Sequence, residues 1–269
     1  MTSDSLQPPT GGTGAVPGRR SLGETFRSTL GLLVSLLTYY RPRWPGRALE
    51  RLYGEFIRRD DLCFDIGAHV GNRVRAWLNL GARIVAVEPH PECTRILQRL
   101  YRSQPRVQLV QEAVGARSSF RNLRMSLLNP TVSTFSTGWI ESVRRTRGFS
   151  RVRWEGNVPV KVTTLDALIS QYGEPAFCKI DVEGWEADVL QGLSRPLKAL
   201  SFEYVPAAVD VALECLELLG GLSKYEFNWS EAETARLGSN DWMGPQAMAQ
   251  RLRGLPSDAR SGDVYARKV

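Results

Sequence analysis

A chain of 269 residues with 42% hydrophobic content is long enough for one α/β domain with a substantial core, plus extensions. Its formal net charge of +7 permits an acidic substrate, a membrane surface or nucleic acid as a partner, and selects none of them. Aromatic residues are not interleaved with the basic ones, so nucleic acid is the least expected partner. The four cysteines form no C-x-x-C pair and the chain has two histidines. This argues against a structural zinc site and predicts reduced thiols in the cytoplasm.

The start of the chain predicts a tail and then helices. Residues 1–25 are rich in Ser, Thr, Gly and Pro, which predicts a disordered tail, and residues 26–59 predict a helical extension. The apolar run at residues 30–40 is shorter than the roughly 20 residues that a bilayer span needs. We expect this helix to pack on the domain. The alternative is that the basic, amphipathic residues 26–43 make a peripheral membrane contact.

The next stretch predicts a strand that leads into a glycine turn. Residues 62–66 are a short, mostly apolar run that contains Asp65, which predicts a buried strand. Gly67 and Gly71 permit a sharp turn and a close approach of the backbone to a ligand. Residues 70–80 then have apolar side chains at helical spacing.

A second predicted strand, at residues 84–87, ends in Glu88 and is stopped by Pro89. A carboxylate at this position can accept hydrogen bonds from both hydroxyls of a ribose, and its distance from Gly67 along the chain fits such a role. Strand, glycine turn, helix, strand and acid predict a βαβ unit that binds a nucleoside. A solvated strand end is the alternative interpretation of Glu88.

The glycine turn differs from the one that binds a dinucleotide. His69 stands between the two glycines, where G-x-G-x-x-G has a glycine that lets the pyrophosphate approach. Asp65 would repel a phosphate and attract an ammonium group. This combination favours S-adenosylmethionine, whose amino acid end carries both charges. A nicotinamide-dependent oxidoreductase and a non-catalytic scaffold that keeps the cofactor fold are the alternatives.

The sequence resembles the class I methyltransferases, and within them the FkbM family. The motifs that carry the resemblance are FDIGAHVG at residues 64–71, VEP at 87–89, TLD at 164–166 and KIDVEGWE at 179–186. The resemblance covers roughly residues 60 to 205, and the family usually has Asn at the position of His69. The resemblance implies a Rossmann-like α/β fold. Its sheet would have seven mostly parallel strands with an antiparallel last strand, and helices on both faces.

The βαβ pattern and the resemblance together predict which residues contact S-adenosylmethionine. They are Asp65, Gly67, Ala68, His69, Gly71, Asn72, Glu88, Pro89, Glu112, Ala113 and Asp181. Glu112 and Ala113 follow a third predicted strand at residues 107–110, in the loop that borders the adenine in the methyltransferase fold. Plain loop polarity is the alternative for Glu112.

Three further acids follow two later predicted strands. Asp181 and Glu183 come after residues 176–180, and Glu203 comes after residues 200–202, at the strand ends where open α/β sheets bind ligands. Methyl transfer to a hydroxyl needs alignment and benefits from a base. We therefore predict O-methylation with Glu183 or Asp181 as base. The alternatives are structural: Asp181 would hold loop backbone and Glu183 would cap the next helix. The same three carboxylates could bind a divalent metal, which we do not favour.

The resemblance implies an acceptor hydroxyl on a sugar, a glycolipid or a polyketide-like metabolite. The basic run at residues 144–153, if it is a site, implies an anionic acceptor. Residues 116–157 predict loops and edge hairpins. The methyltransferase domain is expected over residues 60–269, with an insertion at about 230–261 that forms a lid or substrate wall. The final strand, at residues 263–267, is expected to lie antiparallel between the fifth and sixth strands.

Overall fold

The computed structural model describes residues 22–39, 46–232 and 234–269. Most of the predicted disordered tail therefore lies outside the described residues. The strands are β1 Leu62–Ile66, β2 Arg83–Val87, β3 Val107–Val110, β4 Ala113–Val114, β5 Ser119–Met125, β6 Gly156–Thr163, β7 Phe177–Ile180, β8 Ala199–Tyr204, β9 Tyr225–Glu231 and β10 Gly262–Lys268. The helices are α1 Leu22–Tyr39, α2 Gly46–Tyr53, α3 Asn72–Asn79, α4 Pro91–Tyr101, α5 Thr137–Val143, α6 Leu165–Tyr172, α7 Glu186–Gln191, α8 Val209–Leu222 and α9 Pro245–Arg253.

Seven strands form the main sheet, in the order β3-β2-β1-β7-β8-β10-β9. In this sheet, strands β3, β2, β1, β7 and β8 are parallel to one another. Strand β10 runs antiparallel to both of its neighbours. The predicted fold class and the predicted position of the last strand are confirmed. Strand order reverses between β1 and β7, and ligands of open α/β sheets bind outside the carboxyl ends of the strands at such a point.

The alternating side chains of β1 explain why the sheet is covered on both faces. Phe64 and Ile66 pack into a core cluster with helices α6, α7, α8 and α9. Cys63, which precedes Phe64, points into a second cluster with α2, α3 and α4. Because successive side chains of a strand point to opposite faces, a strand buried on both sides has a mostly apolar sequence. Asp65 is the polar exception in β1, and the strand places it at the ligand-binding end.

A second sheet, in the order β4-β6-β5, lies within residues 113–163. Strands β5 and β6 pair antiparallel, as the edge hairpins predicted for this region would. Helix α5 was not predicted, so the expectation of loops and hairpins alone was wrong. Ser136 caps this helix by accepting a hydrogen bond from the Trp139 amide. A helix of two turns repeats its apolar spacing too few times to be recognised in the sequence.

Two helix ends also differ from what the sequence indicates. Helix α8 continues through Gly220 and Gly221 to Leu222, although this glycine pair predicts a helix end. Leu222 packs against the core, which holds the last turn in place. Helix α2 ends at Tyr53, earlier than the predicted residue 59. In the ranges that the structure describes, no helix is both long and apolar enough to cross a membrane.

Candidate active site

A pocket opens at the carboxyl ends of β1, β2 and β7, beside the smaller sheet. Ten of the residues predicted as cofactor-binding or catalytic line it: Asp65, Gly67, His69, Asn72, Glu88, Pro89, Glu112, Ala113, Asp181 and Glu183. Residues with no predicted role line it as well, among them Arg73, Phe135, Lys179 and Trp185. No described residue of the predicted lid at residues 230–261 lines this pocket.

The glycine turn after β1 is shaped by its neighbours. Gly67 has a φ of +84°, and a Cβ at this position would overlap the carbonyl oxygen of Asp181. Its amide and that of Ala68 donate to the carbonyl oxygen of Val87, at 2.9 and 3.1 Å. The turn after β1 is thereby held against the ends of both β2 and β7. Gly67 is required for this packing as well as for the shape of the pocket.

Gly71 and Ala68 stand behind the pocket and do not line it. Gly71 has a φ of +85°, and a Cβ there would lie 2.6 Å from the Tyr101 ring of α4. The Tyr101 hydroxyl donates to the Gly71 carbonyl at 3.0 Å. The second glycine therefore brings the start of α3 against α4.

Glu88 is buried at the tip of β2 and is tied to the glycine turn. One carboxylate oxygen accepts a hydrogen bond from the His69 amide at 2.8 Å, and the other accepts from the His90 amide at 2.7 Å. Burial raises the pKa of Glu88 to about 7, although these backbone donors lower it. With 7% of its surface exposed, Glu88 is not a solvated strand end, and that alternative is wrong.

Oppositely charged groups meet beneath the glycine turn. Asp65 is buried, burial raises its pKa to about 6, and its Oδ2 has no hydrogen-bond partner among the described residues. Lys179 is buried on β7 and pairs with Asp181 at 2.6 Å and with Asp263 at 3.4 Å. Arg73, on α3, donates to the Tyr53 hydroxyl at 3.2 Å. A zwitterionic ligand would find both signs of charge here.

The three predicted catalytic acids lie together. Carboxylate oxygens of Asp181, Glu183 and Glu203 are all within 4.8 Å of one another, a spacing that could also hold a metal ion. Glu203 does not line the main pocket but adjoins it through this cluster. Burial and the neighbouring carboxylates raise the pKa of Glu183 and of Glu203 well above the ordinary range. Burial alone would also raise the pKa of Asp181, but the Lys179 ammonium holds it below that range.

Glu183 also adopts a strained backbone conformation. Its φ is +56°, which is uncommon for a residue other than glycine. The Thr134 hydroxyl donates to its carbonyl at 2.6 Å, and the Trp139 side chain packs against Gly184, the next residue. Such conformations persist only where the surrounding structure maintains them, and they cluster at active sites. The loop before α5 and the start of α5 therefore fix the position of Glu183.

Glu186 was not predicted as a site residue, and it caps the loop that carries Glu183. Its carboxylate accepts from the Val182 amide at 2.9 Å and from the Gly184 amide at 3.3 Å. Burial raises the pKa of Glu186 to about 7. The capping role considered for Glu183 thus belongs to Glu186, three residues further on. The sequence contained a signal for it, since an acid in the first turn of a helix often caps that helix.

Two aromatic side chains that contact each other line the pocket. The Phe135 and Trp185 rings have centroids 5.6 Å apart, and the Arg121 guanidinium lies 5.0 Å from the Trp185 ring. Glu112, at the pocket edge, pairs with Lys161 at 2.6 Å. The sequence shows no periodic signal for Phe135, because it lies on an irregular loop.

The basic run at residues 144–153 contributes to a second, open cleft. Arg145 and Arg147 line it, together with Ser142 on α5 and Asp258. Ala207, close after β8, lies in the same cleft. It is a surface feature with both signs of charge.

The strand order, with an antiparallel strand inserted next to the last edge, defines a class I methyltransferase fold. The family described as "Methyltransferase FkbM domain" matches residues 65–215, so this chain belongs to the FkbM methyltransferase family. The recognition made from the sequence motifs is confirmed.

A curated relative is the hexuronic acid methyltransferase AglP of Haloferax volcanii. It is 27% identical over 164 residues, which cover 60% of this chain and 62% of that protein. The chain therefore matches less than two thirds of this relative's length.

Two solved structures give more distant likenesses. One is a TehB-like SAM-dependent methyltransferase from Corynebacterium glutamicum, with TM-score 0.47 and 10% identity, covering 91% of this chain and 99% of that one. The other is a precorrin-6y C5,15-methyltransferase from Geobacter metallireducens, with TM-score 0.43 and 14% identity, covering 82% and 87%. Both scores are low, and we rely on the strand order and the family match.

Proposed function

We propose that this protein transfers the methyl group of S-adenosylmethionine to a hydroxyl of a sugar-containing acceptor. The observation that carries the proposal is the position of Glu183. This half-buried carboxylate shares one pocket with Glu88 and with the glycine turn, and its backbone is held in a strained conformation. A methyl donor seated on the turn would have a proton acceptor beside it.

The cofactor would lie across the tips of β1 and β2. Each oxygen of Glu88 accepts one backbone hydrogen bond and retains a lone pair for a ribose hydroxyl. Asp65 suits the ammonium group, and Arg73 is the pocket cation that suits the carboxylate of the methionine end. Ala113 and Pro89 would border the adenine, opposite Phe135. Asn72 and the amides of the turn complete the site, and Ala68 and Gly71 support it from behind.

The chemistry would be an in-line displacement at the methyl carbon. The acceptor oxygen forms a bond to carbon as the carbon–sulfur bond breaks, and the hydroxyl proton moves to a carboxylate. Asp181 is a poor proton acceptor because Lys179 stabilises its charge. Glu183 lies two residues further along the loop, and because burial raises its pKa, its ionised carboxylate is the stronger proton acceptor of the two. Of the two residues considered from the sequence, we therefore assign the base to Glu183.

An anionic sugar is the acceptor class we favour. A relative bears the name hexuronic acid methyltransferase, and its similarity covers 60% of this chain. The net charge of +7 and the exposed arginines of residues 144–153 would attract an acidic acceptor. A glycan or a lipid-linked glycan fits these features better than a neutral polyketide.

The test is methyl transfer from labelled S-adenosylmethionine to a panel of uronic acids, matched neutral sugars and polyketide alcohols. We expect transfer to uronic acids. Glu183→Gln should lower kcat by about 10²-fold or more, because a positioned base contributes that much, without changing cofactor affinity. Glu217→Gln, an exposed change on α8, is the control and should have no effect. Unchanged turnover in Glu183→Gln would remove this residue from the mechanism.

A further inference from the structure

Helix α1 exposes its apolar side chains. Phe26, Leu33 and Leu37 are 70%, 51% and 53% exposed, and Leu30 and Val34 are exposed between them. At about 100° per residue, these five side chains fall on one stripe along the helix. A surface helix of a globular protein usually turns such a stripe toward the core.

The opposite face of α1 holds the helix on the domain. Ser28 and Ser35 are buried, and the Ser28 hydroxyl donates to Glu92 of α4. A Cβ at Gly31 would lie 2.6 Å from the Leu127 carbonyl oxygen, so the helix backbone touches the chain that follows β5. Ser28, Gly31 and Ser35 face inward, and the five apolar residues of the stripe face outward. This orientation is fixed by contacts and is the reverse of the usual one.

The residues that flank α1 carry positive charge and aromatic rings. In the sequence, Arg19 and Arg20 precede the helix, and Arg41 and Arg43 follow it with Trp44 beside them. Arginine and tryptophan are the residues enriched where a helix lies at the boundary of lipid headgroups and acyl chains. A second copy of this chain carries the same net charge of +7 and would be repelled, whereas anionic lipid headgroups would be attracted.

We propose that α1 binds the surface of an anionic lipid bilayer, with its exposed apolar stripe inserted among the headgroups and its small-residue face kept on the domain. The three-residue turn Pro130–Val132 contacts α1 and contributes Pro130 and Thr131 to the pocket lining. Binding would therefore hold the pocket near the membrane. A lipid-linked acceptor would be methylated there, and only this last consequence rests on the proposed function.

The test measures flotation of the full chain with vesicles, without any activity assay. We would use vesicles of phosphatidylcholine with phosphatidylglycerol in equal parts, and vesicles of phosphatidylcholine alone. We expect binding to the anionic vesicles, weaker binding to the neutral ones, and loss of binding at high salt. The double variant Leu33→Glu/Leu37→Glu should bind at least about tenfold less, because charge replaces inserted apolar surface.

The matched control is Leu33→Met/Leu37→Met, which keeps the same positions apolar and should bind like the wild type. Both positions are exposed, so the melting temperature of each variant should be unchanged, which separates lost binding from lost folding. Absence of flotation with anionic vesicles would overturn the proposal. A dimer in solution that the glutamate variant dissociates, without vesicle binding, would assign the stripe to a second copy instead.

Discussion

Lys179 places its ammonium 2.6 Å from the Asp181 carboxylate, two residues before Glu183. The same ammonium lies 3.4 Å from Asp263 on β10. It keeps Asp181 ionised, whereas burial and the Asp181 charge raise the pKa of Glu183. Neighbouring carboxylates with opposed pKa shifts are a common arrangement for dividing the roles of acid and base.

Replacing Lys179 tests how much its buried ammonium stabilises the fold. Lys179→Met should lower the free energy of unfolding by about 3–5 kcal/mol, since it leaves buried Asp263 and half-buried Asp181 without their cation. Lys161→Met is the control: its pair with Glu112 has the same 2.6 Å separation but is exposed, and it should cost about 1 kcal/mol or less. Urea denaturation of both variants measures the difference. If both variants lost the same free energy of unfolding, the burial of Lys179 would not explain its contribution to stability.

The Asp181 pair also predicts a dependence of stability on pH. The folded pKa of Asp181 lies below its ordinary value of 3.8, so the ion pair stabilises the fold above that value. The stabilisation is lost as the pH falls through the lower, folded pKa. In an acid titration followed by circular dichroism, Lys179→Met should lack this part of the acid transition. If the difference in stability between the wild type and Lys179→Met stayed the same across that pH range, the ion pair would not be the cause of this part of the transition.

Cofactor affinity should depend on the ionisation of Glu88. Its pKa is about 7, and a ribose hydroxyl donates best to the ionised carboxylate. The Kd for S-adenosylmethionine should therefore rise as the pH falls below 7, by up to about tenfold per pH unit. Glu88→Gln should bind weakly at every pH and lose this dependence. Buried Asp65, with a pKa of about 6, would add a second step at lower pH.

Gly67 should not tolerate a methyl group. Gly67→Ala would drive the Cβ into the Asp181 carbonyl and strain a positive φ, so we expect a loss of about 2–4 kcal/mol of stability and of cofactor binding. Gly220→Ala is the matched control, because it lies inside α8 with no atom within 4 Å of a new Cβ. That change should stabilise the protein by up to about 1 kcal/mol. Thermal unfolding compares the two.

Chelation separates the two possible uses of the acid cluster. If Glu183 acts as a base, exhaustive treatment with a chelator should leave methyl transfer unchanged. Loss of activity that magnesium restores, together with magnesium binding that Glu203→Gln abolishes, would assign Asp181, Glu183 and Glu203 to a metal site instead.

The sequence predicted those parts of the site that depend on local pattern. Strands β1, β2 and β7 are short, mostly apolar runs with an acid close to the carboxyl end, so Asp65, Glu88 and Asp181 could be found from spacing alone. The meeting of Glu183 with Glu203 follows from strand order, which the family resemblance supplied. Neighbouring parallel strands bring their carboxyl ends to one edge.

The remaining features depend on contacts between distant parts of the chain. Phe135 reaches the pocket on an irregular loop, and the role of Lys179 depends on Asp263, which lies on the last strand. Local sequence gave no signal for either contact. Helix α8 continues past two glycines because Leu222 packs against the core, an interaction that overrides local propensity. The inward small face of α1 likewise becomes visible only when Gly31 is seen against Leu127.

The most direct test of the central claim is calorimetric titration of the purified protein with S-adenosylmethionine, with NAD and NADP as controls. We predict micromolar binding of S-adenosylmethionine, its loss in Glu88→Ala, its retention in Glu217→Ala, and no heat from the nicotinamide cofactors. Binding of a nicotinamide cofactor without binding of S-adenosylmethionine would contradict the account. If none of the three ligands gave a binding signal, the result would favour a scaffold that keeps the fold without the cofactor.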